Sequence, residues 1–231
     1  MTIVSNLRQW SLLLRIIASH LTRLVSTQGA VVNPQIMAFF VLHDQLEVEI
    51  ESAYSDENQI IWHVCKSIPS ENLLHQTGTL KINKERRIQL AKYHTVLHVL
   101  NTITLRDYKA WITGVQIGEE YSRIDFNFEN FSAEISAELE AKVNEVLNAN
   151  HKIKSYYISE EEFVNRKDLL RTLDVKPPVI DNKVRVVEIE GFDAQACGGT
   201  HVDSTLDVGR FSIFRTDNKG KKNKRLYVKL Q

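Results

Sequence analysis

The alternation of apolar and polar positions divides the chain into segments of two kinds. Leu7, Trp10, Leu14, Ile17, Leu21 and Leu24 recur at three- and four-residue steps, which predicts a helix over 5–25. Gly29, Asn33 and Pro34 interrupt the pattern and predict a turn or loop over 27–34. The period then shortens. Residues 36–42 and 46–50 read as strands, the second with strict alternation (Leu46-Glu47-Val48-Glu49-Ile50), and so do 60–66 and 77–83. Residues 30–85 therefore suggest a small β-rich region, and the charged junction Lys84-Glu85-Arg86-Arg87 leads out of it.

Beyond that junction the helical period returns. Leu90, Leu97, Leu100 and Ile103 predict a helix over about 87–102. Residues 111–118 read as a strand and loop, and 123–128 as a strand. Ile135, Leu139, Val143 and Val146 or Leu147 mark the buried stripe of a helix over 132–148, with Ser132 as its N-cap. A strand over 152–158 precedes Ser159-Glu160-Glu161-Glu162, a capping-box pattern that starts a helix running to about Leu173 before Pro177 and Pro178 end it. Residues 183–190 form a β-branched strand. Residues 208–215 and 226–230 read as a hairpin with its tip over 217–225. The expected class is α+β: a small β-rich, barrel-like N-terminal domain over 1–85 with a helix at its start, followed by an α/β two-layer domain over 86–231.

Composition narrows this only in part. A chain of 231 residues holds one large or two small domains, and 43% hydrophobic with 25% charged residues is the balance of a folded globular protein. No apolar run approaches the roughly 18 residues of a spanning helix, so no membrane partner is expected. The formal charge is zero but uneven. Residues 1–43 hold Arg8, Arg15 and Arg23 and no acid. This reads as an amphipathic surface helix, with an organelle transit peptide as the alternative. Local patches, and not the overall balance, decide whether a nucleic acid binds.

The chemistry concentrates in two short motifs. In Cys197-Gly198-Gly199-Thr200-His201 two glycines let a tight loop turn a thiol and an imidazole onto one point. In His94-Thr95-Val96-Leu97-His98 two imidazoles share one face of a helix. Each motif has a plain reading: a tight turn around a buried cysteine, or two histidines on a partly buried face. Taken together they offer one thiolate and three imidazoles, a donor set suited to one zinc ion per chain. With Cys197 as a ligand, Cys65 has no disulfide partner, which fits a reducing compartment and a cytoplasmic location. No Glu lies inside the histidine motif, so the H-E-x-x-H protease arrangement is absent. Four tight protein ligands would make the ion structural. A catalytic role needs a fifth ligand or one weak one, and the sequence leaves both open.

An H-x-x-x-H helix some hundred residues before C-G-G-T-H resembles the editing domain of alanyl-tRNA synthetase, and equally the free-standing AlaX-type trans-editing proteins. Lys84 to Arg87, Gly118 to Phe126, Val184 to Val187 and Asp207 to Phe211 agree with it, so the resemblance covers 84–231. Threonyl-tRNA synthetase has a related editing fold. The N-terminal third departs from the longer trans-editing proteins: Gln28-Gly29-Ala30 stands where they carry a Gly-Gly-Gly-Gln-Pro type signature. No class II synthetase core and no glycine-rich phosphate loop is present, which argues against amino-acid activation.

The resemblance implies zinc-dependent hydrolysis, in trans, of the ester joining serine or glycine to tRNA(Ala). Zinc would polarise the carbonyl or activate a water. The tRNA acceptor end would be the partner, with association with alanyl-tRNA synthetase a further possibility. Thr113 and Gln116, with Gly198, Gly199 and Thr200, would line the amino-acid pocket. A donor there that seeks a hydroxyl can reject the analogue lacking it by about 10⁴–10⁵-fold. Asp125 and Asp193 are the candidate general bases, each with a structural alternative as a strand pair or turn cap. Lys219, Lys221, Lys222, Lys224 and Arg225 are candidates for tRNA phosphate contacts, or else a solvated hairpin tip. The competing readings are a non-catalytic tRNA- or synthetase-binding module in which zinc only holds the fold, and editing of another mischarged tRNA such as Ser-tRNA(Thr).

Overall fold

The computed structural model of the chain describes residues 2–5, 12–16, 38–42, 47–55, 61–65, 78–171, 177–220 and 222–231. They fall into two units, Met1–Arg87 and Ile88–Gln231.

The first unit is a six-stranded antiparallel sheet. Its strands are β1 (Thr2–Ser5), β2 (Leu12–Ile16), β3 (Ala38–Leu42), β4 (Glu47–Ser55), β5 (Ile61–Cys65) and β6 (Gly78–Ile82), in the order β1-β2-β5-β4-β3-β6. The alternation in β4 has its expected consequence: Val48 and Ile50 are buried while Glu47 is exposed. The helix expected over 5–25 is corrected. Leu12–Ile16 is a strand, paired with β1 on one side and β5 on the other. The run Leu-Leu-Leu-Arg-Ile is too short and too evenly apolar for its period to choose between helix and strand, and sheet pairing decides. The rest of that segment, and the turn expected over 27–34, lie outside the described residues.

The second unit is built around α1 (Lys84–Tyr108), the helix that leads into it. It starts three residues earlier than its apolar period suggests, because the Asn83 carboxamide oxygen accepts the Arg86 amide at 3.0 Å. From Tyr93 to Thr104 nearly every residue is buried, including Thr95, Asn101, Thr102 and Thr104. A helix buried all round needs elements on more than one side. One side meets the antiparallel sheet β13-β14-β8-β7, made of β7 (Ile112–Gln116), β8 (Ser122–Phe126), β13 (Phe211–Asn218) and β14 (Lys224–Leu230). Ile124, Phe126, Phe211, Leu226 and Val228 of this sheet share one core with Tyr93, Val96, Leu100 and Ile103. Another side meets the second sheet, in which β9 (Ile153–Ser159) pairs with one edge of β11 (Lys183–Ile189) and β10 (Val179–Ile180) and β12 (Asp193–Ala196) pair with the other. Gln195 of β12 receives a hydrogen bond from Asn101 of α1.

Helix α2 (Ala133–Asn148) has the expected Ser132 cap, whose hydroxyl accepts the Ile135 amide at 3.3 Å, and it buries Leu139, Val143 and Leu147. It also holds the free edge of β13. The Asn144 carboxamide exchanges two hydrogen bonds with the Phe211 backbone, and Glu140 accepts the Ile213 amide at 2.8 Å. Helix α3 (Glu160–Asn165) is shorter than expected. Ser159 caps it by accepting the Glu162 amide at 3.0 Å, but Arg166 leaves helical geometry at φ −102, ψ 62. A 3₁₀ turn over Lys167–Leu169 then buries Leu169 in a small core with Ile158, Val184 and Val186. The class is α+β, with antiparallel sheets throughout the described residues. Among the described residues no helix is long and apolar enough to cross a membrane.

Candidate metal centre

His94 and His98 lie one helical turn apart on α1, and Cys197 and His201 lie on the loop that leaves β12. The loop is held by its neighbours. The Cys197 amide donates to the Arg185 carbonyl at 3.0 Å. The Arg185 guanidinium donates back to the carbonyls of Cys197 and Gly199 at 3.0 and 2.7 Å. Gly199 has to be glycine for a local reason: a Cβ there would stand 2.0 Å from Cε1 of His94. The loop backbone therefore lies directly against the imidazole ring.

One ligand atom from each of His94, His98, Cys197 and His201 lies within 4.8 Å of the other three, so the group could hold a metal ion. Two edges of the cluster are given directly: Cys197 Sγ is 3.5 Å from His94 Nε2 and 3.6 Å from His201 Nε2. Bond lengths of about 2.3 Å to sulfur and 2.0–2.1 Å to nitrogen, at a tetrahedral angle, require an S···N edge of about 3.6 Å. The cluster fits a small tetrahedral ion that favours sulfur and nitrogen.

The second nitrogens of two ligands are anchored. His94 Nδ1 faces the Thr200 carbonyl at 3.2 Å, so it carries the proton and leaves Nε2 free to coordinate. His201 Nδ1 faces Thr95 Oγ1 at 3.1 Å, and the Val202 amide donates to the same hydroxyl at 3.3 Å. His98 is set from behind: its carbonyl accepts from Gln195 Nε2 at 3.2 Å and lies 3.0 Å from the Thr102 hydroxyl.

The protonation states follow from proximity. Burial alone would raise the Cys197 thiol, but His94 and His98 outweigh it and hold the thiol well below its usual value. Burial, reinforced by the charges of His94 and His98, pushes His201 down to about 3, so it is neutral. Burial would also lower His94, yet the neighbouring thiolate raises it. A cation binds to the thiolate with all the imidazoles neutral, so an ion entering the cluster displaces the proton that the thiolate favours on His94.

The other sequence candidates are dispersed. Both oxygens of Asp125 accept from Arg225, at 2.6 Å each, and the pair is largely buried. Asp193 is bonded to Arg171 through one oxygen and to Thr102 and Gln195 through the other, each at 2.8 Å. It supports the turn of α1 that carries His98. Thr113 is exposed and donates to Asn223 at 2.8 Å, at the end of the sheet near the β13–β14 turn. Gln116 is exposed opposite Arg123 at the other end. Thr200 is exposed and contributes its carbonyl, while Gly198 and Gly199 are part-buried in the loop. Lys219 and Lys222 are exposed, Lys224 bonds Asn218, and Lys221 lies outside the described residues. Arg225 is taken up by Asp125. Thr95 and Arg185, two of the residues that hold the cluster in place, were not singled out from the sequence. Their signals were present: a hydroxyl on an otherwise apolar stretch, and a lone cation inside the run Val184-Arg185-Val186-Val187.

The family model for the threonyl and alanyl tRNA synthetase second additional domain matches residues 184–227, which include the cysteine loop and most of the final hairpin. The chain is 38% identical over 149 residues to the alanyl-tRNA editing protein AlaX-M of Methanosarcina mazei, covering 64% of this chain and 59% of that protein. It is 33% identical over 162 residues to the AlaX-M protein of Saccharolobus solfataricus, covering 67% of each. It is 29% identical over 166 residues to an alanine–tRNA ligase of Methanococcus maripaludis, covering 70% of this chain and 18% of the ligase.

Proposed function

Because the chain belongs to the AlaX-type family of alanyl-tRNA editing proteins, we propose that it hydrolyses in trans the ester joining serine, and also glycine, to tRNA(Ala), with one zinc ion held by His94, His98, Cys197 and His201. The chain spans only 59% and 61% of the two Methanosarcina AlaX-M proteins with which it shares 38% and 37% identity, so the activity is argued from the site. The observation that carries the proposal is the match between the 3.5 and 3.6 Å sulfur–nitrogen edges and the edge a tetrahedral zinc requires. Bound there, zinc would supply Lewis-acid polarisation of the ester carbonyl.

The remaining roles belong to the chain. Thr95 and the Thr200 carbonyl fix which ring nitrogens point at the ion. Arg185 fixes the loop backbone. Thr113 and Gln116 keep the substrate-pocket role as part of the proposal, Gln116 from the end of β7 that pairs with Arg123. Neither Asp125 nor Asp193 is assigned as general base, because both oxygens of each are engaged by other side chains. The acceptor end of tRNA(Ala) is the partner. The cytoplasm, reducing and translating, is the compartment that suits both the thiolate and this substrate.

One observation favours a second reading. Four protein ligands fill a tetrahedron, as they do in structural zinc sites, and the protein would then be a zinc-stabilised tRNA- or synthetase-binding module. Loss of ester from Ser-tRNA(Ala), Gly-tRNA(Ala) and Ala-tRNA(Ala), followed with and without a chelator, separates the two. Cleavage of the mischarged species alone, stopped by chelation, is expected. Cleavage of none supports the module, and equal cleavage of all three removes the proofreading role.

A further inference from the structure

The four-stranded sheet β13-β14-β8-β7 gives one face to the core and the other to solvent. On the solvent side a β-bulge between Ile213 and Arg215 brings Phe214 out. Phe214 is 48% exposed and Tyr121, just before β8, is 44% exposed. With Tyr227 they form a triangle of rings whose centroids are 5.9 to 6.1 Å apart. Cations border it. The Arg215 guanidinium lies 4.7 Å from the Tyr227 centroid, and the Lys229 ammonium 5.1 Å from that of Phe214. Arg123 is the cross-strand partner of Tyr227.

We propose that this face is a docking surface for unpaired nucleotides of the RNA substrate, whose bases stack on Phe214, Tyr121 and Tyr227 while phosphates meet Arg215, Lys229 and Arg123. The proposal rests on the editing reading for the identity of the RNA, but its chemistry stands on the surface.

Three features favour RNA over a protein partner. On the strands' solvent face Arg225 is taken up by Asp125, and Arg215, more than half exposed, also bonds Asp217 at 3.0 and 2.7 Å; Arg123 and Lys229 are the excess of positive charge that remains for a polyanion. Glu119 and Glu120, in the β7–β8 loop, bound the cationic strip on that side. The centre of a protein interface is depleted of charge, whereas cations lie against two of these three rings. Finally, an antiparallel four-stranded sheet presenting aromatic rings to solvent is an architecture that binds single-stranded RNA by stacking.

The surface also lies at the right end of the sheet. The Tyr93 hydroxyl donates to the Glu120 carbonyl at 2.7 Å and lies 3.4 Å from the Leu230 amide. Tyr93 precedes His94, and Glu120 precedes Tyr121. The aromatic end of the sheet is therefore tied to the metal-bearing turn of α1. The lysine-rich β13–β14 turn is at the opposite end, where Lys224 pairs with Phe126.

The test uses the full chain and two fluorescein-labelled RNA hairpins, one with a four-nucleotide unpaired 3′ end and one blunt, with binding read by anisotropy. The wild type is expected to prefer the overhang. Phe214→Ala and Tyr121→Ala each weaken overhang binding about tenfold and leave blunt binding unchanged. Tyr121→Phe, which keeps the ring, retains affinity. Arg215→Gln and Lys229→Gln each reduce the slope of log affinity against log salt by about 0.7. Equal binding of the two hairpins by the wild type, or wild-type affinity in both alanine variants, overturns the proposal. So does loss of a protein partner with RNA affinity unchanged. If alanine variants bind and edit as the wild type does, the surface proposal fails and the deacylase reading stands. If the rings bind the overhang but no mischarged tRNA is hydrolysed, the reverse holds.

Discussion

Thr95 Oγ1 stands 3.1 Å from Nδ1 of His201, across a sequence separation of 106 residues. Thr95 is fully buried and follows His94 directly, so one turn of α1 supplies both a ligand and the support of another ligand. The same oxygen accepts the Val202 amide at 3.3 Å, which fixes the backbone just past the histidine. With Nδ1 protonated toward Thr95, Nε2 keeps its lone pair for the ion.

Thr95→Val keeps the shape and removes the hydroxyl. Loss of such an outer partner weakens metal affinity by about 10–100-fold. Zinc competition against a chromophoric chelator should show that loss, with unchanged far-UV circular dichroism, while Thr95→Ser stays near wild type. Unchanged affinity in the valine variant would assign the hydroxyl to packing alone.

Gly199→Ala tests how closely the loop lies against the ring. The new methyl would sit 2.0 Å from His94 Cε1 and 2.4 Å from Nδ1, far inside contact distance. Either the imidazole or the loop has to move, and overpacking of this kind costs about 1–3 kcal/mol. The purified variant should contain well under one zinc per chain by elemental analysis, since a displaced His94 opens the tetrahedron. Full zinc content would mean that the loop can retreat without loss of the site.

Much of the site was legible because its signals are local. A helix face brings His94 and His98 together whatever the rest of the chain does, and two glycines beside a cysteine signal a tight loop. The supporting residues were not legible, because Thr95, Arg185 and Gln195 act across 12 to 107 residues and look ordinary in sequence. Asp125 and Arg225 illustrate the same limit. Each has a functional type, and only strand register shows that they face each other. The fold divides similarly. Alternation marked β4 and capping marked α2, but Leu12–Ile16 took its form from its strand neighbours.

Asp107 predicts a stability change with pH. Arg106, then Lys142, hydrogen-bond its carboxylate and lower it from 3.8 to about 2. The folded state therefore binds this proton less readily than the unfolded chain. Its contribution is complete above about pH 4 and is lost as pH falls through about 2. Because Arg106 is more than half exposed, screening reduces the contribution to about 1 kcal/mol. Urea unfolding of zinc-free protein should find Asp107→Asn less stable by that amount at pH 7, with the gap closing toward pH 2. A gap that stays constant on acidification would trace the loss to something other than this carboxylate's charge.

Arg225 can be assigned by setting stability against RNA binding. Its two nitrogens reach Asp125 at 2.6 Å each, and only 15% and 12% of the two side chains is exposed. A bidentate pair this enclosed has little capacity left for a phosphate, unlike Lys222, which is 75% exposed. Removing one partner leaves the other charge buried, so Arg225→Ala should cost about 3 kcal/mol in urea unfolding. Arg225→Lys should cost less, because an ammonium keeps attraction but loses the two-pronged geometry. Lys222→Ala should stay within about 0.5 kcal/mol of wild type. In RNA binding the order reverses. The salt slope should fall on neutralising Lys219, Lys222 or Lys224 where they touch phosphate, and it should not fall for Arg225→Lys. An Arg225→Ala protein as stable as wild type, with a shallower salt slope, would instead make Arg225 a phosphate ligand and leave Asp125 available for other chemistry.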